Sequence, residues 1–81
     1  MQTILRSGPY RFYWFSNEGV EPPHIHVDRD NQSAKFWLNP VNLARNIGFS
    51  GRELQTMRSI IEFNHSYLLE VWHEHHGSKN R

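Results

Sequence analysis

Residues 22–38 have the sequence Pro-Pro-His-Ile-His-Val-Asp-Arg-Asp-Asn-Gln-Ser-Ala-Lys-Phe-Trp-Leu. In His24–Arg29, apolar and polar side chains alternate, which is the pattern of a β-strand with one buried face. Ser33–Leu38 is predicted to be a strand with Ala34, Phe36 and Leu38 on one face and Lys35 and Trp37 on the other, and the polar residues 30–32 between the two segments are typical of a hairpin turn. This stretch therefore predicts two antiparallel strands.

A third strand is predicted before them. Tyr10–Phe15 is almost wholly aromatic, which is typical of strands, and Gly8-Pro9 before it indicates a turn. Three consecutive strands with short connections predict an antiparallel meander. Asn39-Pro40 is expected to end this sheet, and Val41–Asn46 is expected to form a short helical turn.

A long helix is predicted to follow. Ser50 and Glu53 match the capping box, in which each side chain binds a free backbone donor of the other residue. The helical pattern continues to about His76, so the helix would be roughly 40 Å long, too long for a domain with a radius of gyration of about 12 Å. The helix could bend near Asn64–Ser66, but we expect its end to pack on a second copy of the chain. The residues expected in this homodimer contact are Phe63, Tyr67 and Val71.

Length and pattern together predict a single α+β domain over residues 1–81, with an ordered core at about residues 9–76. Its expected architecture is a three-stranded antiparallel meander packed against one long C-terminal helix, with a short helical turn between them. Trp14, Trp37 and Trp72 are expected to form the core between the sheet and the helix.

Composition excludes several classes of protein. The chain has no cysteine, which excludes disulfides and thiolate zinc sites. No run approaches the roughly 20 apolar residues of a membrane helix, and no signal peptide is visible, so we expect a cytoplasmic protein. The nine Lys and Arg residues form no run and the net charge is +1, so charge does not support a nucleic-acid partner.

His24 and His26 form the most pointed local motif because both project from the same face of one predicted strand. One interpretation is metal binding, since neutral imidazole is a good ligand for zinc and related ions. Another is acid–base chemistry such as RNA cleavage, with Lys35 or Arg29 supplying a cation. A third is that the two rings form the ordinary solvent face of a half-buried strand. A third metal ligand would have to be chosen from Asp28, Glu18, His65, His73, His75 and His76.

The other histidines are expected to be structural. His65 lies on the apolar stripe of the helix, where we expect a hydrogen-bonded core or groove residue. The cluster at 73–76 lies near a helix C-terminus, where histidines complement the helix dipole.

Several motifs follow one another along the chain: Ser16–Gly19, Glu21–Val27, Ala34–Leu38, Asn46, Gly48–Ser50, Glu53-Leu54 and Trp72–Glu74. Together they resemble the small bacterial proteins of domain-of-unknown-function family 4160, over roughly residues 9–77, which is nearly the whole chain. The resemblance implies a protein that is often encoded beside a second small protein, as in a toxin–antitoxin module. The positions shared with the family include Glu18, His24, His26, Lys35 and Trp37.

The leading hypothesis is therefore a small bacterial protein-interaction domain, one component of a toxin–antitoxin-like pair, which forms a homodimer or binds a small cognate protein. The alternative is an RNA-cleaving or divalent-metal-binding protein, with zinc as the expected metal. In that alternative the candidate catalytic residues are His24, His26, Lys35 and Glu18, and the candidate metal ligands are His24 and His26. The sequence leaves open whether the chain is an enzyme.

Overall fold

A computed structural model describes residues 2–15 and 20–77. Two helices and a π-helical segment follow one five-stranded antiparallel sheet, whose strands are ordered as they occur in the chain. The strands are β1 (Gln2–Ser7), β2 (Tyr10–Trp14), β3 (His24–Arg29), β4 (Gln32–Leu38) and β5 (Val41–Ile47). The helices are α1 (Gly51–Phe63) and α2 (His65–Trp72), and His73–Gly77 continues α2 as a π-helix.

The α+β class is confirmed, but the predicted architecture of three strands and one long helix is wrong. The three predicted strands correspond to β2, β3 and β4. Two further strands, β1 and β5, form the edges of the sheet, and the helical region is divided into two helices.

β5 occupies the segment where a helical turn is expected, and that expectation is wrong. Asn39 and Pro40 are joined by a cis peptide bond, and they form a two-residue loop because Leu38 pairs with Val41. Loops of two residues join adjacent antiparallel strands. Within β5, residues 42–47 are all exposed. Because the strand has no buried face, its sequence does not show the alternation of apolar and polar residues that indicates a strand.

β1 pairs with β2 around the predicted turn, where Gly8 has a φ of 58°. Such a left-handed conformation favours glycine. A bulge shifts the register between Thr3 and Leu5. Because a bulge inserts one extra residue into a strand, it interrupts the alternation of apolar side chains that would otherwise indicate β1.

Asn64 divides the helical region, so the single helix predicted to reach His76 is wrong. The Asn64 side-chain amide donates a hydrogen bond to the Ile60 carbonyl at 2.8 Å, and its backbone (φ −104°, ψ 19°) departs from helical values. Asparagine often binds nearby backbone groups in this way instead of continuing a helix. Within the described residues, no helix is long and apolar enough to cross a membrane.

The start of α1 matches the prediction. Ser50 Oγ accepts a hydrogen bond from the Glu53 backbone N–H at 3.1 Å, and Glu53 Oε1 accepts one from the Ser50 N–H at 3.2 Å. The capping box is therefore confirmed. Glu53 also pairs with Arg29 at the end of β3, which fixes the start of the helix to the sheet.

The core lies between the helices and one face of the sheet. Trp14 and Trp72 meet edge to face, with ring centroids 5.2 Å apart. Trp37 is half-buried outside this core, so the expectation that all three tryptophans form it is wrong for that residue. The fully buried core side chains include Phe12, Trp14, Ile25, Val27, Phe36, Leu38, Met57, Ile61 and Leu68.

Candidate functional site

The face of the sheet that points away from this core, called the open face below, carries three rows of side chains. Directly opposed residues of antiparallel strands project from the same face, so the strand register defines each row. The first row is Thr3, Tyr13, His26, Lys35 and Arg45. The second is Arg6, Arg11, Asp28, Ser33 and Ile47. The third is His24, Trp37 and Asn42.

His26 lies in the middle of the open face and is half-buried. Its ring stacks on Tyr13 with centroids 5.2 Å apart and meets the ring of Phe15 edge to face at 5.4 Å. Lys35 is directly opposite it on β4. Because part of the ring is exposed, a ligand on this face could contact His26.

His24 is fully buried, unlike a residue of an open solvent face. It begins β3 at the end of the sheet reached by α2, where its ring lies 4.9 Å from Trp72 and 5.9 Å from Trp37. Nδ1 lies 2.9 Å from the Pro22 carbonyl oxygen. Because a carbonyl oxygen only accepts hydrogen bonds, Nδ1 carries a proton and donates it to Pro22.

The two predicted metal ligands, His24 and His26, lie next to each other. The rings of His24 and His26 are 5.2 Å apart and perpendicular. Within residues 2–15 and 20–77, no three His, Asp or Glu side chains form a group that could hold a metal ion. The predicted pair is adjacent, and the described residues supply no third ligand.

Lys35 is tied to the loop before β3. Its ammonium donates a hydrogen bond to Glu21 Oε1 at 2.7 Å and lies 4.7 Å from the centre of the Trp37 ring. The same Glu21 oxygen is 3.6 Å from His24 Nδ1, so one carboxylate links the two predicted site residues. Glu18, the fourth predicted catalytic residue, lies outside the described residues. The catalytic roles of these residues stay predictions.

Tyr13 is a member of the open face that sequence reasoning did not select as a site residue. Its hydroxyl donates a hydrogen bond to Asp28 Oδ1 at 3.1 Å, and the Arg11 guanidinium lies 4.6 Å from its ring centre. Burial raises the pKa of Tyr13, and the negative charge of Asp28 raises it further, with a partial offset from Arg11. Tyr13 therefore holds its proton more tightly than a free tyrosine.

This shift predicts a loss of stability in alkaline solution. The pKa of Tyr13 is higher in the folded protein than in the unfolded chain. The protonated hydroxyl therefore makes its full contribution to the free energy of unfolding below the unfolded pKa of about 10, and this contribution is lost as pH rises through the folded pKa. An ultraviolet titration of tyrosinate should show one of the three tyrosines ionising late. Tyr13→Phe should remove that late step; if the late step persists in the variant, the assignment is wrong.

The C-terminal histidines occupy different environments. His76 is buried, stacks on Trp72 with centroids 3.9 Å apart, and donates from Nε2 to the Phe15 carbonyl at 3.2 Å. His73 and His75 are exposed. The π-helical turn places the residue four positions after Trp72 over its ring, so His76 joins the core in place of His75.

His65 is a hydrogen-bonded groove residue, as predicted. Its Nε2 donates to the carbonyl of Leu38 at the end of β4. This bond ties the start of α2 to the sheet.

A second surface lies at the β1 edge and contains two of the three predicted interface residues. Phe63 is 89% exposed, and Tyr67 is 47% exposed. Val71 is half-buried and packs against the core. The structure therefore leaves Phe63 and Tyr67 available to a partner and places most of Val71 inside the domain.

Comparison with known proteins identifies a family and no characterised relative. No curated protein and no solved structure matches the chain. A family profile described as "Domain of unknown function (DUF4160)" matches residues 10–73, a range that extends from β2 through α2 and includes His24, His26 and Lys35. Because this match covers most of the 81 residues, the chain belongs to the DUF4160 family.

Proposed function

We propose that this chain is a protein-interaction domain that forms a homodimer through the edge of β1. The observation that carries the proposal is the position of Phe63, which is 89% exposed beside that edge. Phe63 is also part of a larger apolar surface, since it lines a groove together with Leu5 and Ile60, and contiguous exposed apolar surface commonly marks an interaction site.

The β1 edge is suited to pairing with another strand. Among residues 2–15 and 20–77, β1 has a single neighbour in the sheet, β2, so one side of its backbone has no sheet partner within the described part of the chain. Native proteins usually protect such edges with proline, charged side chains or β-bulges. Gln2–Ser7 contains no proline and one charged residue, Arg6, and beyond its bulge Leu5, Arg6 and Ser7 pair with β2 in continuous register.

An apolar groove adjoins the edge. Leu5, Ile60 and Phe63 line a cavity of about 460 Å³ between β1 and α1. Tyr67 flanks it, with its hydroxyl 3.5 Å from the Ile4 carbonyl oxygen. The surface thus combines backbone hydrogen-bonding groups with an apolar strip.

A second copy of the chain is the occupant that fits this surface best. Two β1 strands related by a two-fold axis pair antiparallel, and each copy then presents the same patch to the other. The patch contains both a protruding ring, Phe63, and the groove lined by Leu5 and Ile60 beside it. A surface with both features is self-complementary, and its apolar character fits an identical apolar partner.

Pairing through β1 leaves β5 at the other edge of each sheet. Leu43 and Ile47 on β5 are 42% and 53% exposed, so this edge is a separate surface for a small cognate protein. The proposed role in a toxin–antitoxin-like pair rests on the family resemblance, and co-expression with the neighbouring gene followed by co-purification would test it.

Sedimentation velocity tests the homodimer. Wild-type protein at micromolar concentration is expected to sediment as a dimer and Phe63→Glu as a monomer, because two carboxylates would be buried in the apolar contact. Ile47→Glu is the matched control: it adds the same charge at an exposed residue four strands away, and it should remain dimeric.

Phe63 contributes little to the monomer's own core, so Phe63→Glu should fold, which far-ultraviolet circular dichroism would check. A monomeric wild type, or a Phe63→Glu variant that remains dimeric, would refute the proposal.

A further inference from the structure

We infer that the open face of the sheet binds single-stranded nucleic acid. This surface lies on the side of the sheet opposite the helices, and the inference does not rest on the homodimer. It follows from two observations: the charge that the strand register gathers on this face, and the aromatic rings that lie among those charges.

The charge of the chain is divided between its two sides. The three rows of the open face contain four cations and one carboxylate, and Glu21 from the loop before β3 binds Lys35, so the formal charge of this surface is +2, although the whole chain carries only +1. Residues 51–77 on the other side contain four glutamates and two arginines, a formal charge of −2. The cations of the open face are Arg6, Arg11, Lys35 and Arg45.

Two of these cations are available to an anionic ligand. Arg6 and Arg45 are exposed, and no carboxylate among the described residues lies within ion-pair distance of either. Arg11 and Lys35 are partly neutralised by Asp28 and Glu21 respectively. The free positive charge therefore lies at the two sides of the face, in β1 and β5.

Aromatic rings lie on, or directly after, the three inner strands, between the two edge strands. Phe15 is 40% exposed, and His26 and Trp37 are half-buried. Tyr13 lies beneath His26 and supports its ring. Rings on a sheet surface flanked by cations are the arrangement with which proteins stack the bases of single strands and hold their phosphates.

This combination favours a nucleic acid over an acidic protein. An acidic segment would use the cations and gain little from the rings, whereas a single strand offers a phosphate and a stackable base in every nucleotide. A duplex keeps its bases stacked inside, so it could not use the rings.

Fluorescence anisotropy with labelled oligouridylate and oligothymidylate of about 20 nucleotides tests the inference. Binding of either is expected at low salt, and the stronger ligand shows whether RNA or DNA is preferred. Contact with three phosphates predicts an affinity loss of about 20-fold between 50 and 200 mM salt.

Matched variants separate charge from stacking. Arg45→Glu should weaken binding about tenfold, while Arg52→Glu, the same change at an exposed residue on α1, should leave it within about twofold. Phe15→Ala should weaken binding about tenfold without changing the salt dependence. These side chains are substantially exposed, and thermal melts would check that the variants fold.

Three results would overturn the inference. The first is no anisotropy change with either oligonucleotide at about 100 μM protein, and the second is an equal loss of binding affinity in Arg45→Glu and Arg52→Glu. The third is displacement of the labelled oligonucleotide by polyglutamate as effectively as by unlabelled oligonucleotide. The last result would assign the face to an acidic protein partner.

Discussion

Replacing Trp72 with alanine is expected to lower the free energy of unfolding by about 3–5 kcal/mol. The side chain is 3% exposed and contacts the rings of Trp14, His24 and His76. Its removal would leave a cavity where the end of α2 meets the sheet. Because a domain of this size is stabilised by only about 5–10 kcal/mol in total, the variant should be largely unfolded at moderate urea concentrations.

Urea denaturation followed by circular dichroism measures this loss without relying on tryptophan fluorescence. Trp37→Ala is the matched control because Trp37 is half-buried on the open face. Its loss should be clearly smaller, about 1–2 kcal/mol. If the two variants are equally stable, Trp72 does not have the central place in the core described above.

Replacing His24 with alanine is expected to cost about 3 kcal/mol of stability. The ring is fully buried between aromatic side chains, and Nδ1 donates to the Pro22 carbonyl. His26→Ala removes a half-buried ring and should cost about 1 kcal/mol. A larger loss of stability in His24→Ala than in His26→Ala would identify His24 as a structural residue and leave His26 as the one that a ligand could contact.

His24→Phe separates packing from hydrogen bonding at this position. Phenylalanine retains an aromatic ring and lacks the Nδ1 donor, so its stability should lie between those of wild type and His24→Ala. If His24→Ala is as stable as wild type in urea, the ring does not hold this end of the sheet, and a role in chemistry becomes the better explanation for it.

The sequence predicted the inner strands of the sheet because their side chains pack on the core. In β3 and β4, Ile25, Val27, Phe36 and Leu38 lie at alternate positions, and all four are buried. The edge strands contribute few core side chains, so their alternation is weak. Because the alternation in β5 is weak, no strand was predicted after Asn39-Pro40. This pair was therefore interpreted as the end of the sheet, although it forms the turn into β5.

The candidate site was only partly predictable. Alternation correctly separated His26 and Asp28 from the buried Ile25 and Val27. The same alternation placed His24 on the solvent face, but this residue begins the strand, where Trp72 from α2 covers it. That contact joins residues 48 positions apart in sequence, and no local pattern reports it.

The positive charge of the open face was also hidden from sequence reasoning. Arg6, Arg11, Lys35 and Arg45 are scattered along the chain, and only the strand register shows that they share one face. The scatter of Lys and Arg in the sequence therefore did not exclude a charged surface. Phe63, which the sequence predicted to lie in a partner contact, is exposed at the β1 edge, and its contact with a partner stays a prediction.

Hydrogen–deuterium exchange at two protein concentrations tests the central proposal, pairing of two chains through β1, most directly. Amides in Gln2–Ser7 should exchange more slowly at high concentration, because a partner strand would bind the edge that is open in the monomer. Amides in Val41–Ile47, at the opposite edge, should exchange at the same rate at both concentrations. Exchange in β1 that does not change with concentration, or a change confined to β5, would contradict the proposal.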